Sequence, residues 1–106
     1  MTEQEYINEF VKAHSRFARF GITLYKITKI EALNEFSKAS SITDDYWTLG
    51  SLIEEIKVGS PIWLARVANK KHPAGRDGVF STSKVIEYKD GIATTQNSRY
   101  KIEKLV

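Results

Sequence analysis

Apolar residues recur at three- and four-residue steps through Ile7, Phe10, Val11, His14, Phe17 and Ala18, the period of an amphipathic helix. Thr2-Glu3-Gln4-Glu5 stands just before them and fits a capping box, with Thr2 as N-cap and Glu5 reaching back to it. Glu3, Glu5 and Glu9 lie near the positive end of the helix macrodipole, and Lys12, Arg16 and Arg19 near the negative end. Gly21 is the expected C-terminal stop. His14 falls on the apolar stripe with no carboxylate three or four residues on to orient it. It reads as a core-edge residue with one satisfied hydrogen bond rather than as a base.

The next stretch carries two periods at once. Residues 22–30 (ITLYKITKI) have the β-branched and aromatic content of a strand. Ile27, Ile30, Leu33 and Phe36 also keep a helical step, and EALNEFSKA contains good helix formers. The reading adopted is a strand near 22–29 passing into a helix near 30–38. Ser40 to Asp45 then reads as a loop and the start of a new helix, with Leu49, Leu52, Ile53 and Ile56 on its apolar face and Gly59 at its end. Gly50 weakens that helix.

From Pro61 the period changes to two. Pro61 to Ala68 alternates Trp63, Ala65 and Val67 with Ile62, Leu64 and Arg66; both sets are largely apolar, which predicts a central strand. A cationic loop follows at 69–78, marked by Pro73, Gly75 and Gly78. Asp90-Gly91 lies between two β-rich runs, the pattern of a two-residue hairpin. Its register would set Lys89 against Ile92, Val85 against Gln96, Ser83 against Ser98, Ser81 against Tyr100 and Val79 against Ile102. Ser, Thr and Asn then occupy the middle of one face, which predicts either a cross-strand hydrogen-bond cluster or a bulge near Gln96-Asn97. The elements describe one α+β domain over residues 1–106: an N-terminal amphipathic helix and further helical segments in 1–57, packed on a small antiparallel sheet from 58–106. That sheet could curl into a partial, SH3-like barrel.

Composition narrows the chemistry. A chain of 106 residues, 42% hydrophobic, suits a single core. Without cysteine there is no disulfide framework, thiol nucleophile or cysteine metal site. The uncharged stretches are too short to cross a bilayer, and the acidic, amphipathic MTEQEYINEF is unlike a signal peptide; a cytoplasmic location is expected. The net charge of +3 conceals an asymmetry. Residues 1–56 hold six Lys/Arg against nine Asp/Glu, whereas 57–106 hold ten against four. The basic half could face an anionic partner, although such an excess also serves solubility alone.

No enzyme motif emerges. Asp44-Asp45 and Glu54-Glu55 are sequence neighbours that, on a helix, point in different directions and cannot flank one substrate bond. Ser81 or Ser83 with His72 as base would be the least poor hydrolase, but no nucleophile-elbow spacing links them. Two lone histidines make a metal site unexpected, and no phosphate-binding glycine loop implies a nucleotide cofactor. The chain is therefore expected to be a non-enzymatic binder without cofactors. Interfaces draw on Trp, Tyr and Arg anchors, which singles out Tyr88, Arg99 and Tyr100 on the polar hairpin. The alternative is direct nucleic-acid binding through Lys70, Lys71, Arg76, Lys84, Arg99 and Lys101. Trp47 and Trp63 read as core or core-edge residues.

Thr82-Ser83-x-Val85 followed by Thr95-x-Asn97-Ser98-x-Tyr100 resembles a pattern in a short β-module of small bacteriophage and mobile-element proteins. The resemblance covers roughly residues 58–105. It implies a phage-encoded accessory protein acting in the host cytoplasm, of the kind that binds and redirects a host protein or nucleoprotein complex. Anti-CRISPR and other anti-defence inhibitors are examples of that kind.

Overall fold

The computed structural model describes residues 1–40 and 42–106. Six antiparallel strands follow one another around a closed barrel: β1 (Tyr25–Ala32), β2 (Trp47–Leu52), β3 (Pro61–Asn69), β4 (Val79–Lys89), β5 (Ile92–Thr95) and β6 (Ser98–Lys104). Each strand pairs with the next, and β6 returns to pair with β1. With 44% strand against 19% helix, the barrel is the body of this mixed fold and the helices are attachments. The helical parts are α1 (Glu3–Ser15), a short 3-10 turn (Ala18–Phe20) and the single-turn α2 (Glu35–Lys38).

The N-terminal helix forms as its sequence requires. Thr2 Oγ1 accepts the Glu5 N–H at 3.2 Å, and Glu5 Oε1 accepts the Thr2 N–H at 3.1 Å, the two halves of a capping box. The helix stops at Ser15, and Gly21 (φ 81°) closes the 3-10 turn that follows. Half-buried His14 bonds the Phe10 carbonyl oxygen through Nδ1 at 2.8 Å. Ile7, Phe10 and Val11 lie against Trp47, Leu49 and Ala68 on the outside of β2 and β3. The Trp47 indole N–H donates to Glu3 Oε1 at 2.7 Å, fixing the helix to the barrel wall.

A second apolar cluster fills the barrel. Ile27, Ile62, Leu64, Val85, Ala93 and Ile102 point inward, with Tyr46, Phe80 and Tyr100 among them. Phe80 stacks on Tyr46 with ring centroids 6.5 Å apart and meets Tyr100 edge-on at 6.1 Å. Each fully buried Leu or Ile contributes about 2 kcal/mol. The cores inside and outside the barrel share β2 and β3, so Trp47 to Gly50 are all buried.

That double burial explains why residues 44–56 form no helix. Leu49, Leu52 and Ile53 satisfy a helical step, but Trp47 and Leu49 face α1 while Leu52 faces the barrel. Asp45 at φ 72° breaks any helix starting at Asp44. The loop expected from Ser40 to Asp45 contains Ser41, which lies outside the described residues. The expected helix at 30–38 shrinks to α2, capped by Asn34 Oδ1 accepting the Ser37 N–H at 2.8 Å, because β1 runs on to Ala32. Thus the sheet is not confined to the C-terminal half: β1 and β2 supply a third of its strands.

The Asp90-Gly91 turn forms as expected. Both residues have positive φ (53° and 75°), as a type I′ turn requires, and Lys89 faces Ile92. Beyond it the expected register fails. A bulge at Ile86 sets Val85 opposite Thr95 instead of Gln96. The chain then reverses at Gln96-Asn97, so Ser98, Tyr100 and Ile102 do not pair with Ser83, Ser81 and Val79. Thr95 drives that reversal: its Oγ1 accepts the N–H groups of Asn97 (3.3 Å) and Ser98 (3.1 Å) and donates to the Ser98 carbonyl oxygen (2.9 Å). The first half of β4 pairs with β3. Because the barrel is closed every strand has two neighbours, so the expected contrast between a central and an edge strand does not arise.

Gly50 marks the tightest place in the wall. A methyl there would overlap the Ala65 carbonyl oxygen and lie 2.9 Å from Leu64 Cγ. The neighbouring backbone is held in the β2–β3 ladder and cannot withdraw. Gly50→Ala is expected to cost about 3 kcal/mol or more, the upper range for overpacking, read by denaturant unfolding; a change under about 1 kcal/mol would show that the wall yields there.

Candidate binding surfaces

Strand alternation separates the residues expected to act together. Arg99 points outward from β6, where its guanidinium meets Glu31 Oε2 at 3.1 Å. Tyr100 points inward and is 8% exposed, so its ring is part of the core and offers no face to a partner. Tyr88 is exposed near the β4–β5 turn. The three do not form one patch.

The basic residues are likewise dispersed. Lys70 pairs with Asp45 Oδ2 at 2.9 Å, and Lys71 and Arg76 lie in the loop after β3. Lys84 sits opposite Pro61, and Lys101 lies between Thr28 and Ile92. Acidic residues interleave with the outward cations on β1, β6, β5 and β4: Glu103 opposes Lys26, Glu31 opposes Arg99, and Glu87 lies across Thr94 from Arg99. The result is a mixed-charge wall rather than a continuous basic track.

The hydroxyl-rich hairpin is divided between scaffold and cavity. Ser37 and Ser98 share a buried hydroxyl–hydroxyl hydrogen bond, which ties α2 to the start of β6. Asn34 Nδ2 donates to Asn97 Oδ1 at 2.8 Å, and the Leu33 N–H donates to the Asn97 carbonyl oxygen at 2.8 Å. Thr82 Oγ1 accepts the Ile62 N–H at 3.1 Å across a bulge in which Thr82 and Ser83 oppose Ile62. These groups knit the barrel end together and border a cavity of about 150 Å³ at its mouth. His72 is remote from them. It follows Asn69 at the far end of β3, whereas Ser83 lies near Pro61, a span of roughly 20 Å or more at the rise of a strand. The Ser–His hydrolase arrangement is not assembled.

Sequence reasoning missed a surface outside β2, β3 and β4. Trp63 is 39% exposed, with Ile53 (58%) and Val79 (55%) on neighbouring strands or their continuation. The Ile53 N–H donates to the Trp63 carbonyl oxygen at 2.9 Å, and Val79 stands opposite Ala65. Helix α1 covers the other end of this wall, over Trp47, Leu49 and Ala68, and leaves Trp63 uncovered. The signal was present in the apolar alternation of Trp63, Ala65 and Val67. Only Val67 packs against the helix-covered cluster.

No family model, curated protein or solved structure matches this chain. No helix among the described residues is long and apolar enough to cross a membrane.

Tyr100 provides a spectroscopic probe of the barrel interior. Burial pushes its phenol above the ordinary value of 10.0, with a hydrogen bond to Ser98 opposing. The folded chain therefore keeps a proton that the unfolded chain gives up above pH 10.0. Stability from this group is complete below that pH and is lost as pH rises toward the folded value. An ultraviolet titration should show a late phenol component that loses the Tyr100 contribution in Tyr100→Phe. An unchanged late component in the variant would contradict the placement of the Tyr100 phenol inside the barrel.

Proposed function

We propose that this chain is a non-enzymatic binding protein that occupies a surface of a partner protein through the Ile53–Trp63–Val79 face. The observation that carries this reading is the exposed Trp63 indole, mounted on β3 of a closed barrel. A rigid strand presents the ring at little ordering cost, and exposed aromatic anchors of this kind dominate interface energies. The phage-like pattern around Thr82-Ser83 and Asn97-Ser98 supports a partner drawn from a host cell, either a protein or a nucleoprotein complex. In such a setting the chain acts by blocking or redirecting the surface it covers, as anti-defence inhibitors do.

Direct nucleic-acid binding is the weaker reading. Lys70 and Arg99 already have carboxylate partners, and the remaining cations do not line one groove. The two readings separate by salt: apolar docking tolerates it, whereas phosphate binding falls steeply as salt rises.

The test is affinity capture from host lysate with the wild-type chain and with Trp63→Ser in parallel. A partner retained at high salt by the wild type should be lost from the variant, with affinity down about 30-fold or more for a true anchor. The melting temperature should change little because the indole is not in either core. Equal capture by both chains would remove this face from the account.

A further inference from the structure

We infer that the mouth of the barrel beside Lys29 is a binding site for a small oxyanion, a carboxylate or a phosphate group. Lys29 is the least expected residue in the structure: an ammonium-bearing side chain on β1 that is 2% exposed. It stands opposite Tyr100 across the β1–β6 seam, on the inward face. Its nitrogen donates to the carbonyl oxygens of Ser37 (3.0 Å) and Ile42 (2.6 Å), which uses two of its three hydrogens. Among the described residues, no carboxylate lies within 4.0 Å of it. Lys29 and Asp44 both border a neighbouring groove, but their charged atoms lie more than 4.0 Å apart. A buried cation without an anionic partner is costly and calls for a counter-charge.

The cavity beside it has the matching chemistry. Lys29, Ser37, Ser83, Asn97, Ser98 and Tyr100 contribute to its lining, and the described lining contains no acidic residue. Ser83 borders the cavity, and its Oγ is buried without a hydrogen-bond partner among the described residues. That is a second, independent sign of a missing partner, because buried hydroxyls are otherwise satisfied. Ser83 belongs to the β4 bulge, whereas Lys29 comes from β1, so the two residues reach the mouth from different strands. A cavity of about 150 Å³ that opens to solvent has room for a carboxylate or phosphate group. Trp63 does not line the cavity, although its cross-strand partner Ser81 does, and an occupant neutralises a charge that the fold itself leaves open.

The test is an amide-resolved NMR titration of the intact chain at low ionic strength with inorganic phosphate, with acetate, and with chloride as control. Saturable shifts at Ser83, Ser98 and Tyr100 with phosphate alone, acetate alone or both, and none with chloride, are expected. Which anion acts identifies the ligand class. Ser83→Ala should weaken binding about fivefold, the loss of one hydrogen bond, while Trp63→Ser should leave it unchanged. Lys29→Met should abolish it, but it also removes two loop contacts, so Ser83→Ala is the deciding variant. Absence of saturable shifts with either oxyanion, equal shifts with chloride, or unchanged affinity in Ser83→Ala would overturn the inference.

Discussion

Closure of the sheet between β1 and β6 is the constraint on which the rest of the structure depends. The seam runs from Tyr25 opposite Lys104 to Ala32 opposite Ser98, the most extensive pairing of β1. It leaves no strand with a free edge, so the backbone donors and acceptors that an open sheet would expose are paired internally. It also encloses Ile27, Ile102 and Tyr100 as core and carries Lys29 to the mouth of the barrel. The outward faces of the same strands become the surfaces available to partners.

Closure in turn relies on two short turns made in different ways. Asp90-Gly91 uses positive φ at both positions, which this residue pair tolerates. Gln96-Asn97 relies on the Thr95 hydroxyl, with Asn34 and Ser37 fastening the turn to the start of α2. Most of the hydroxyl and amide groups that mark the C-terminal hairpin are thereby consumed in shaping the barrel end. Ser83 Oγ, by contrast, is buried without a hydrogen-bond partner among the described residues.

Local chemistry was the legible part of the sequence. The Thr2 capping box and the Asp90-Gly91 turn with Lys89 against Ile92 could both be anticipated because a few adjacent residues determine each. The β2 segment was not, because burial on both faces erases the alternation that distinguishes a half-buried strand from a helix. The register past Val85 was lost to a bulge at Ile86, which carries no sequence signature. For the candidate surfaces, alternation was decisive and visible only once the strand pairing was known: Arg99 and Tyr100 are neighbours in sequence and face opposite sides of the wall. Lys29 reads as an ordinary surface lysine until closure places it inside.

Residue-resolved native-state hydrogen exchange tests barrel closure most directly. If the seam is continuous, the bonded amides of β1 and β6 exchange only through global unfolding, with the same opening free energy as those of β3. If β6 exchanges through a separate, much lower-energy opening while β3 and β4 stay protected, the barrel is an open sheet, and the placement of Lys29 and Tyr100 inside it is wrong.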